Sequence, residues 1–423
     1  MRRLGIASLV AVLSVLAGCG AGQSESKLPV VTLWSSLPHR GPEHRQALLM
    51  ERAIQGAVGN LEGRFRGYRL RYIPLDSSSA GTNGWDPGIA AANARRAALD
   101  PTSFAYIGEL DSGATAVALP ILNQAGVLVI SPTATAVGLT TGGVGAGPGA
   151  PFQYYPSGRR NFVRLVPRDS LQGALIPEVA LGHRCKTLAV IDDGSIYGAG
   201  LAAIVASEAP VRGLRITYKG TLDPRASDYA RSVYRVRGAC ILYAGEPKAA
   251  AVRVVTDAAR HNKSSLVIAP DALASPAFAD PRHGGISASL AKRTFVIGTV
   301  GGEAAYPPFG QWLWRNLTHR GENLVGTGVI PAYAAVELAV ACQDRSGLVK
   351  GRPDKAGILG CALGHNHYSR ALGEYRALLR GDTTVHAYSQ LGIKSGRLVW
   401  LRTLHAPPPL TEAQLAAAAQ PKS

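Results

Sequence analysis

The sequence predicts an α/β protein with two doubly wound parallel-sheet lobes of similar size. Three observations carry that expectation. Short apolar runs alternate with helical patterns, the rhythm of a parallel sheet with helices on both faces. That rhythm breaks at a Gly-rich stretch and restarts after Phe162. The chain has 423 residues, and domains use roughly 100–200 residues each. Apolar residues make up 46% of it and mean hydropathy is +0.07, enough to fill sizeable cores.

In chain order, Val30–Trp34 reads as a strand and the segment from Pro42 to about Val58 as a helix. Tyr68–Leu75 is strand-like, and Pro87–Leu99 is Ala-rich and helical. Phe104–Ile107, Ser112–Gln124 and Val127–Ile130 then predict strand, helix and strand. Residues 137–160, with TTGGVGAGPGAP, predict a mobile loop. Beyond it the pattern gives a helix over Ser170–Leu181, a strand over Thr187–Ile191 and a helix over Gly200–Glu208. Strand Leu214–Leu222, helix Tyr229–Val236 and strand Cys240–Tyr243 come next, before helix Pro247–His261 and strand Leu266–Ala269. Thr294–Gly298 adds a strand, and Phe309–Leu317 and Tyr333–Cys342 add helices. Two strands, Thr384–Ile393 and Arg397–Leu404, close the chain. The tail Ala406–Ser423 reads as disordered.

The charge balance is 45 Lys and Arg against 28 Asp and Glu, net +17. Nucleic-acid binding needs a concentrated basic patch with interleaved aromatics. The tight basic clusters here are short, such as Arg95–Arg96 and Arg159–Arg160, so no nucleic-acid partner is expected. The excess reads as a compositional bias or as attraction to an anionic surface.

Arg2 and Arg3 precede an apolar stretch, Leu4 to Leu16, that is too short for the roughly 20 residues of a membrane span. It reads as a signal peptide. Leu16-Ala17-Gly18-Cys19 resembles a bacterial lipobox, with cleavage before Cys19 and lipid on its sulfur. Residues 20–27 then form a tether, and the mature protein is expected outside the cytoplasm, held to a membrane by lipid. Cys185, Cys240, Cys342 and Cys361 remain, an even number in an oxidising compartment. Of three possible connectivities, Cys185–Cys240 and Cys342–Cys361 are preferred. The first two sit at the starts of two predicted parallel strands, and the last two flank a short connection after a helix. No C-x₂-C pair suggests zinc.

Several motifs are decoys. The run Gly142–Gly147 lacks phosphate-loop spacing and is followed by Pro148 and Pro151. Gly198-Ala199-Gly200-Leu201-Ala202-Ala203 fits GxGxxA but stands six residues past its strand, too far for a dinucleotide turn. His365 and His367 form a pair, too few ligands for a metal. No nucleophile elbow, Walker motif or HExxH is found, so neither enzyme nor cofactor is expected.

Better signals sit at the carboxyl ends of strands, where doubly wound sheets bind ligands. Ser112 and Thr135 offer hydroxyls beside a helix start, suited to a carboxylate. Asp271 offers an anion from the second lobe, and Tyr197 an aromatic face for a cation. Each also has a bland reading: Ser112 as a helix cap, Asp271 as a turn cap, Tyr197 as packing. Together they match the two charged ends of an amino acid.

The segments IGELDSGATAVALPILNQAGVLVISPTATAVGLT (107–140), VIDDGSIYGAGLA (190–202), ILYAGEP (241–247), VIAPDALASPAF (267–278) and GDTTVHAYSQLGIKSGRLV (381–399) carry a resemblance. Over roughly residues 28–404, the chain resembles type 1 periplasmic solute-binding proteins, the Leu/Ile/Val receptor family of ABC importers. The resemblance implies a clamshell of two lobes joined by three crossovers. Its lobes would be 28–163 with 297–383, and 164–296 with 384–405. It implies a carboxylate site at Ser112, Thr133, Ala134 and Thr135, and an ammonium site at Asp271 with Tyr197 lining the cleft. Glu246 would be an extra contact. The ligand would be an amino acid or similar small solute, and the partner an ABC permease. A ligand-sensing module for a signalling partner is the alternative. The turn Ser35–Pro42 departs from the family's small-residue pattern, which leaves the side-chain pocket open. Arg40 there could meet an acidic side chain or be solvated. The insertion near 142–157, with Tyr154 and Tyr155, could lie over the cleft.

Overall fold

The computed structural model describes residues 28–61, 67–222, 229, 233–247, 249–318, 323–411 and 413–414. The expected signal peptide, the tether with Cys19, residues 230–232 of the helix expected over Tyr229–Val236, and the end of the tail lie outside these residues.

The first sheet has five parallel strands in the order Arg69–Asp76, Val30–Leu37, Ser103–Gly108, Leu128–Ser131, Phe162–Arg164. The second has seven: Arg397–His405, Ala387–Lys394, Thr294–Gly298, Leu266–Ala269, Cys240–Ala244, Thr187–Asp192, Arg215–Thr221. Its last five strands in that order run parallel, and the two C-terminal strands join antiparallel at the edge. Position in the sheet explains the sequence of each strand. Ser103–Gly108 and Cys240–Ala244 are internal, buried at every residue, and apolar almost throughout. Arg215–Thr221 is an edge strand and alternates between exposed and partly buried residues.

The chain crosses between the sheets three times. It leaves the first after Arg164 for the helix Asp169–Gly182. It returns after Gly298, because the helices Pro308–Thr318, Val329–Ser346 and Lys355–Ala362 bury Leu313, Ile330, Val336 and Ile358 against Val31, Leu33 and Ile107 of the first sheet. It rejoins the second sheet at Ala387. Arg164 ties two of these crossings together. Fully buried, it donates to the carbonyls of Ala134 (2.8 Å) and Ala136 (2.9 Å) and pairs with Asp382 at 3.0 Å. Arg168 pairs with the other oxygen of Asp382 at 3.1 Å.

Helix starts follow local chemistry. Asp86 accepts from the amides of Gly88 and Ile89 ahead of Pro87, and Ser195 accepts from Gly198. The helix expected from Gly200 therefore begins earlier, at Ile196. Its glycines serve packing: a Cβ on Gly198 would lie 2.5 Å from the Ala244 carbonyl oxygen.

The Gly-rich stretch corrects the expectation of a mobile loop over the cleft. Gly145 has φ +82°, and a Cβ there would lie 2.7 Å from both the Gly200 carbonyl oxygen and the Ile204 side chain. Val137 and Ala146 close a small apolar cluster around Ile204. Tyr154 and Tyr155 are buried, and the Tyr155 hydroxyl donates to the Leu139 carbonyl at 2.5 Å. The segment is therefore a packed connection between the lobes, and the glycines permit the close approach.

Residues 406–411 also differ from the disordered tail expected there. The Leu410 amide donates to Glu208 at 2.8 Å, and Arg212 to the Pro408 carbonyl at 3.1 Å. The hairpin pairing Ser78–Ser79 with Gly84–Trp85, the helix Lys355–Ala362 and the hairpin of Asn366–Ser369 with Gly373–Arg376 were absent from the sequence reading. Each is too short to build a hydrophobic period.

Candidate functional site

A small cavity lies where the carboxyl ends of the two sheets face each other. Leu110, Asp111, Ser112, Thr133 and Thr135 line it from the first lobe, and Tyr197, Glu246, Asp271 and Ala272 from the second. Glu43, Gln46, Thr299, Gly326 and Gly328 complete the wall.

On the first-lobe side, Ser112 opens the helix Ser112–Gln124. It is not the cap, since Asp111 holds that position. The Ser112 hydroxyl accepts from the Ala136 amide at 3.2 Å, which leaves its own O–H to donate. The amides of the helix's first turn add partial positive charge beside it. Thr135 is buried and lines the cavity beside it. Thr133 lines the cavity while its hydroxyl donates to the Leu110 carbonyl at 2.7 Å. Ala134 is a correction to the expected site. Its amide donates to the Ser131 hydroxyl at 2.9 Å, its carbonyl accepts from Arg164, and it lies outside the lining. The tight turn after the strand Leu128–Ser131 spends those groups on holding itself.

On the second-lobe side, Asp271 follows the strand Leu266–Ala269. Its Oδ1 accepts from the Tyr197 hydroxyl at 2.6 Å and from the Gln172 side-chain amide at 2.5 Å. The Gln172 oxygen in turn accepts from the Asp271 amide at 3.0 Å. The turn before Pro276 is capped by Ser275, so Asp271 is not needed there. Tyr197 is buried among Leu201, Leu242 and Ala244, and it acts through its hydroxyl, which fixes Asp271. Tyr197 also lines the cavity, as expected.

Gln172 also donates to Asp169 at 3.1 Å, so one amide bridges two carboxyl groups. Burial raises the Asp169 pKa above the usual carboxylate range, and the nearby Asp271 charge adds to that. Burial likewise raises Asp271, against the pull of Tyr197 and Gln172. Two carboxyls this close resist simultaneous ionisation until a cation joins them.

Glu246 is buried, and its amide donates to Asp193 at 2.9 Å. Trp85 Nε1 reaches it across the cleft and donates to Oε2 at 3.2 Å. A first-lobe ring thus holds a second-lobe carboxylate, and the clamshell stands closed. Arg40 is exposed and lies outside the lining.

Sequence reasoning missed Glu43, Gln46, Trp85, Asp169 and Gln172. A lone Trp in the turn NGWDPG was the one available signal. Asp169 and Gln172 sit on the crossover helix and reach Asp271 only through the fold.

Glu109, fully buried next to this wall, accepts from the Tyr106 hydroxyl at 2.5 Å. Burial lifts its pKa from 4.5 to about 7, although the hydrogen bond from Tyr106 lowers it. Below pH ~4.5 it is protonated whether folded or unfolded, and its ionisation costs nothing. As pH rises toward about 7, the unfolded chain gains by ionising while the fold holds the proton, so the fold loses about 3 kcal/mol. Glu109→Gln is expected to remove that slope in a stability–pH profile measured by denaturant titration. An unchanged slope would assign it to other groups.

Two doubly wound sheets, three crossings and a polar cleft between the lobes define the type 1 periplasmic-binding-protein fold. The leucine-binding protein LivK of Thermotoga maritima superposes with a TM-score of 0.73 at 17% identity, over 89% of this chain and 99% of that one. In sequence, the chain is 25% identical over 185 residues to the leucine-, isoleucine-, valine-, threonine- and alanine-binding protein of Pseudomonas aeruginosa, 44% of each chain. It is 26% identical over 201 residues to a chemotactic signal transduction system substrate-binding protein of Halobacterium salinarum, 46% of this chain and 45% of that one. The match spans less than half the length of these two curated relatives. No protein-family model matches the chain.

Proposed function

We propose that this chain is an extracytoplasmic, lipid-anchored solute-binding protein. It captures an amino acid or similar small polar solute between its lobes and delivers it to an ABC importer. One observation carries the reading. Hydroxyl and amide donors at Ser112 and Thr135 face the carboxylate of Asp271 across an interlobe cleft. That polarity suits a zwitterion, its carboxylate on the first lobe and its ammonium on the second. The binding partners named for the Pseudomonas relative are amino acids, which supports the ligand class. Among the described residues, no helix is long and apolar enough to cross a membrane. Attachment through Cys19 and the division of the chain into its two lobes belong to the same proposal.

A second reading is a sensory receptor with the same clamshell, favoured by the likeness to a chemotactic substrate-binding protein. Capture of a permease rather than a signalling receptor from the membrane separates the two.

The first test is a thermal-shift screen of protein stripped of co-purified solute, against amino acids, amides and organic acids. A ligand at about 100 times its Kd adds roughly 2.7 kcal/mol of stability. A shift confined to amino acids supports the reading, and a shift confined to organic acids overturns the ammonium end of it.

A further inference from the structure

Trp85 joins the two lobes beside the cavity without lining it. It belongs to the short hairpin that pairs Ser78–Ser79 with Gly84–Trp85. That hairpin is braced on the first lobe. Asp76 Oδ1 accepts from the Ser78 amide at 2.8 Å, the Ser78 hydroxyl at 2.6 Å and the His39 amide at 3.0 Å. The Asp86 amide donates to the Ser77 carbonyl at 2.8 Å, and Asp86 caps the helix that follows. Near the hairpin's tip, the Asn83 carbonyl oxygen would lie 2.0 Å from a Cβ on Gly41, so the hairpin also rests on the turn after the first strand.

The indole lies against the first turn of the helix Ser112–Gln124. A Cβ on Gly113 would stand 2.7 Å from Trp85 Cζ2 and 3.1 Å from Cη2. Glycine is a weak helix former, and the ring gives a reason for its use in this turn. From there Trp85 Nε1 donates to Glu246 Oε2 at 3.2 Å. An indole N–H only donates, so it suits a carboxyl oxygen. Glu246 is fixed in turn to the second lobe. Its amide donates to Asp193 Oδ2 at 2.9 Å. Asp193 Oδ1 accepts from the Ser195 amide at 3.1 Å and hydroxyl at 2.6 Å, at the cap of the helix Ile196–Val211. Each end of the Trp85–Glu246 bond is therefore held by its own lobe, and neither end can follow the other when the lobes part.

We infer that Trp85 is a closure latch: its bond to Glu246 forms only when the lobes come together, and it favours the closed form by one factor whatever the solute inside. The inference rests on the solute-binding reading proposed above and adds a positioning residue that touches no ligand. Opening returns the indole N–H and the Glu246 oxygen to water, so the latch is worth the net strength of a single hydrogen bond. A ligand's apparent affinity scales with the population of the form that binds it. Loss of the latch should therefore weaken all ligands alike and speed their release. A residue lining the cavity would instead change the ranking of ligands.

The test is Trp85→Phe in the full chain, which keeps an aromatic ring and removes the donor. It is titrated calorimetrically with leucine, isoleucine, valine, threonine and alanine. Each solute that binds the unaltered chain should bind about five- to thirty-fold more weakly. The factor should be common to all of them and appear in the off-rate by stopped flow, with the melting temperature of the empty protein unchanged. Trp85→benzothienylalanine, which puts sulfur for the N–H in a ring of the same shape, repeats the test if the phenylalanine variant folds poorly. Unchanged affinity would overturn the latch. So would a loss that differs among solutes, since that marks Trp85 as a ligand contact. If none of the five amino acids binds the unaltered chain, the amino-acid reading falls and the latch is judged on the empty protein. Small-angle scattering should then give a larger radius of gyration for Trp85→Phe, and identical curves would overturn the latch.

Discussion

Asp271→Ala is expected to remove high-affinity binding of any ammonium-bearing ligand while the protein still folds. Asp271 is the second-lobe carboxylate aimed into the cleft by Tyr197 and Gln172. Truncating one partner of a desolvated, hydrogen-bonded charge pair costs about 2–5 kcal/mol, roughly a 30- to several-thousand-fold loss of affinity. Much of that loss is the ammonium left buried without its counter-charge. Folding responds differently. In the empty site Asp271 and Asp169 each raise the cost of ionising the other, and both pKa values stand above the ordinary range. Removing one frees the other to ionise, so the empty protein keeps its melting temperature at neutral pH or gains slightly. Calorimetric titration and thermal melting of the same preparation separate the two effects. Unchanged affinity would remove Asp271 from the ammonium site.

The α/β rhythm was legible because buried parallel strands leave continuous apolar runs, and helices between them leave caps. Pro87–Leu99, Ser112–Gln124 and Leu266–Ala269 end where their caps and turn residues say they should. The Gly-rich stretch was misread because composition reports backbone freedom and not what uses it. Gly145 is small because Gly200 and Ile204 press on it. The candidate site was legible as far as strand ends point to it. Ser112, Thr135, Tyr197, Glu246 and Asp271 all line one cavity. What could not be read was how hydroxyls and amides are already spent. Ala134 is consumed by its own turn, and Tyr197 by Asp271. Nor could sequence place Trp85 against Glu246, since 161 residues separate them. Long-range pairing leaves no local period.

Loss of the two disulfides is expected to cost the fold a large part of its stability, one lobe at a time. Cys185, just ahead of the strand Thr187–Asp192, is bonded to Cys240 at the start of the neighbouring strand and closes a separation of 55 residues. Cys342 and Cys361 staple the helix Val329–Ser346 to Lys355–Ala362, over a separation of 19. Constraining the unfolded chain over such loops stabilises the fold by about 4 and about 3 kcal/mol respectively, in the chain-entropy account. A domain is commonly stable by only ~5–15 kcal/mol, so either loss is felt. Because each bridge lies within one sheet's layer of elements, each should lower the melting of that lobe first. Cys185→Ala with Cys240→Ala should expose the second lobe, and Cys342→Ala with Cys361→Ala the helices on the first. All four cysteines are buried, Cys361 the least at 9% exposed. Reductant should therefore act slowly on the native protein and fully once denaturant opens it. Differential scanning calorimetry of oxidised and reduced protein gives the measurement, with a thiol count on the unreduced, denatured chain beside it. Four free thiols, Cys19 aside, or equal melting in both redox states would show that the bridges do not form in solution.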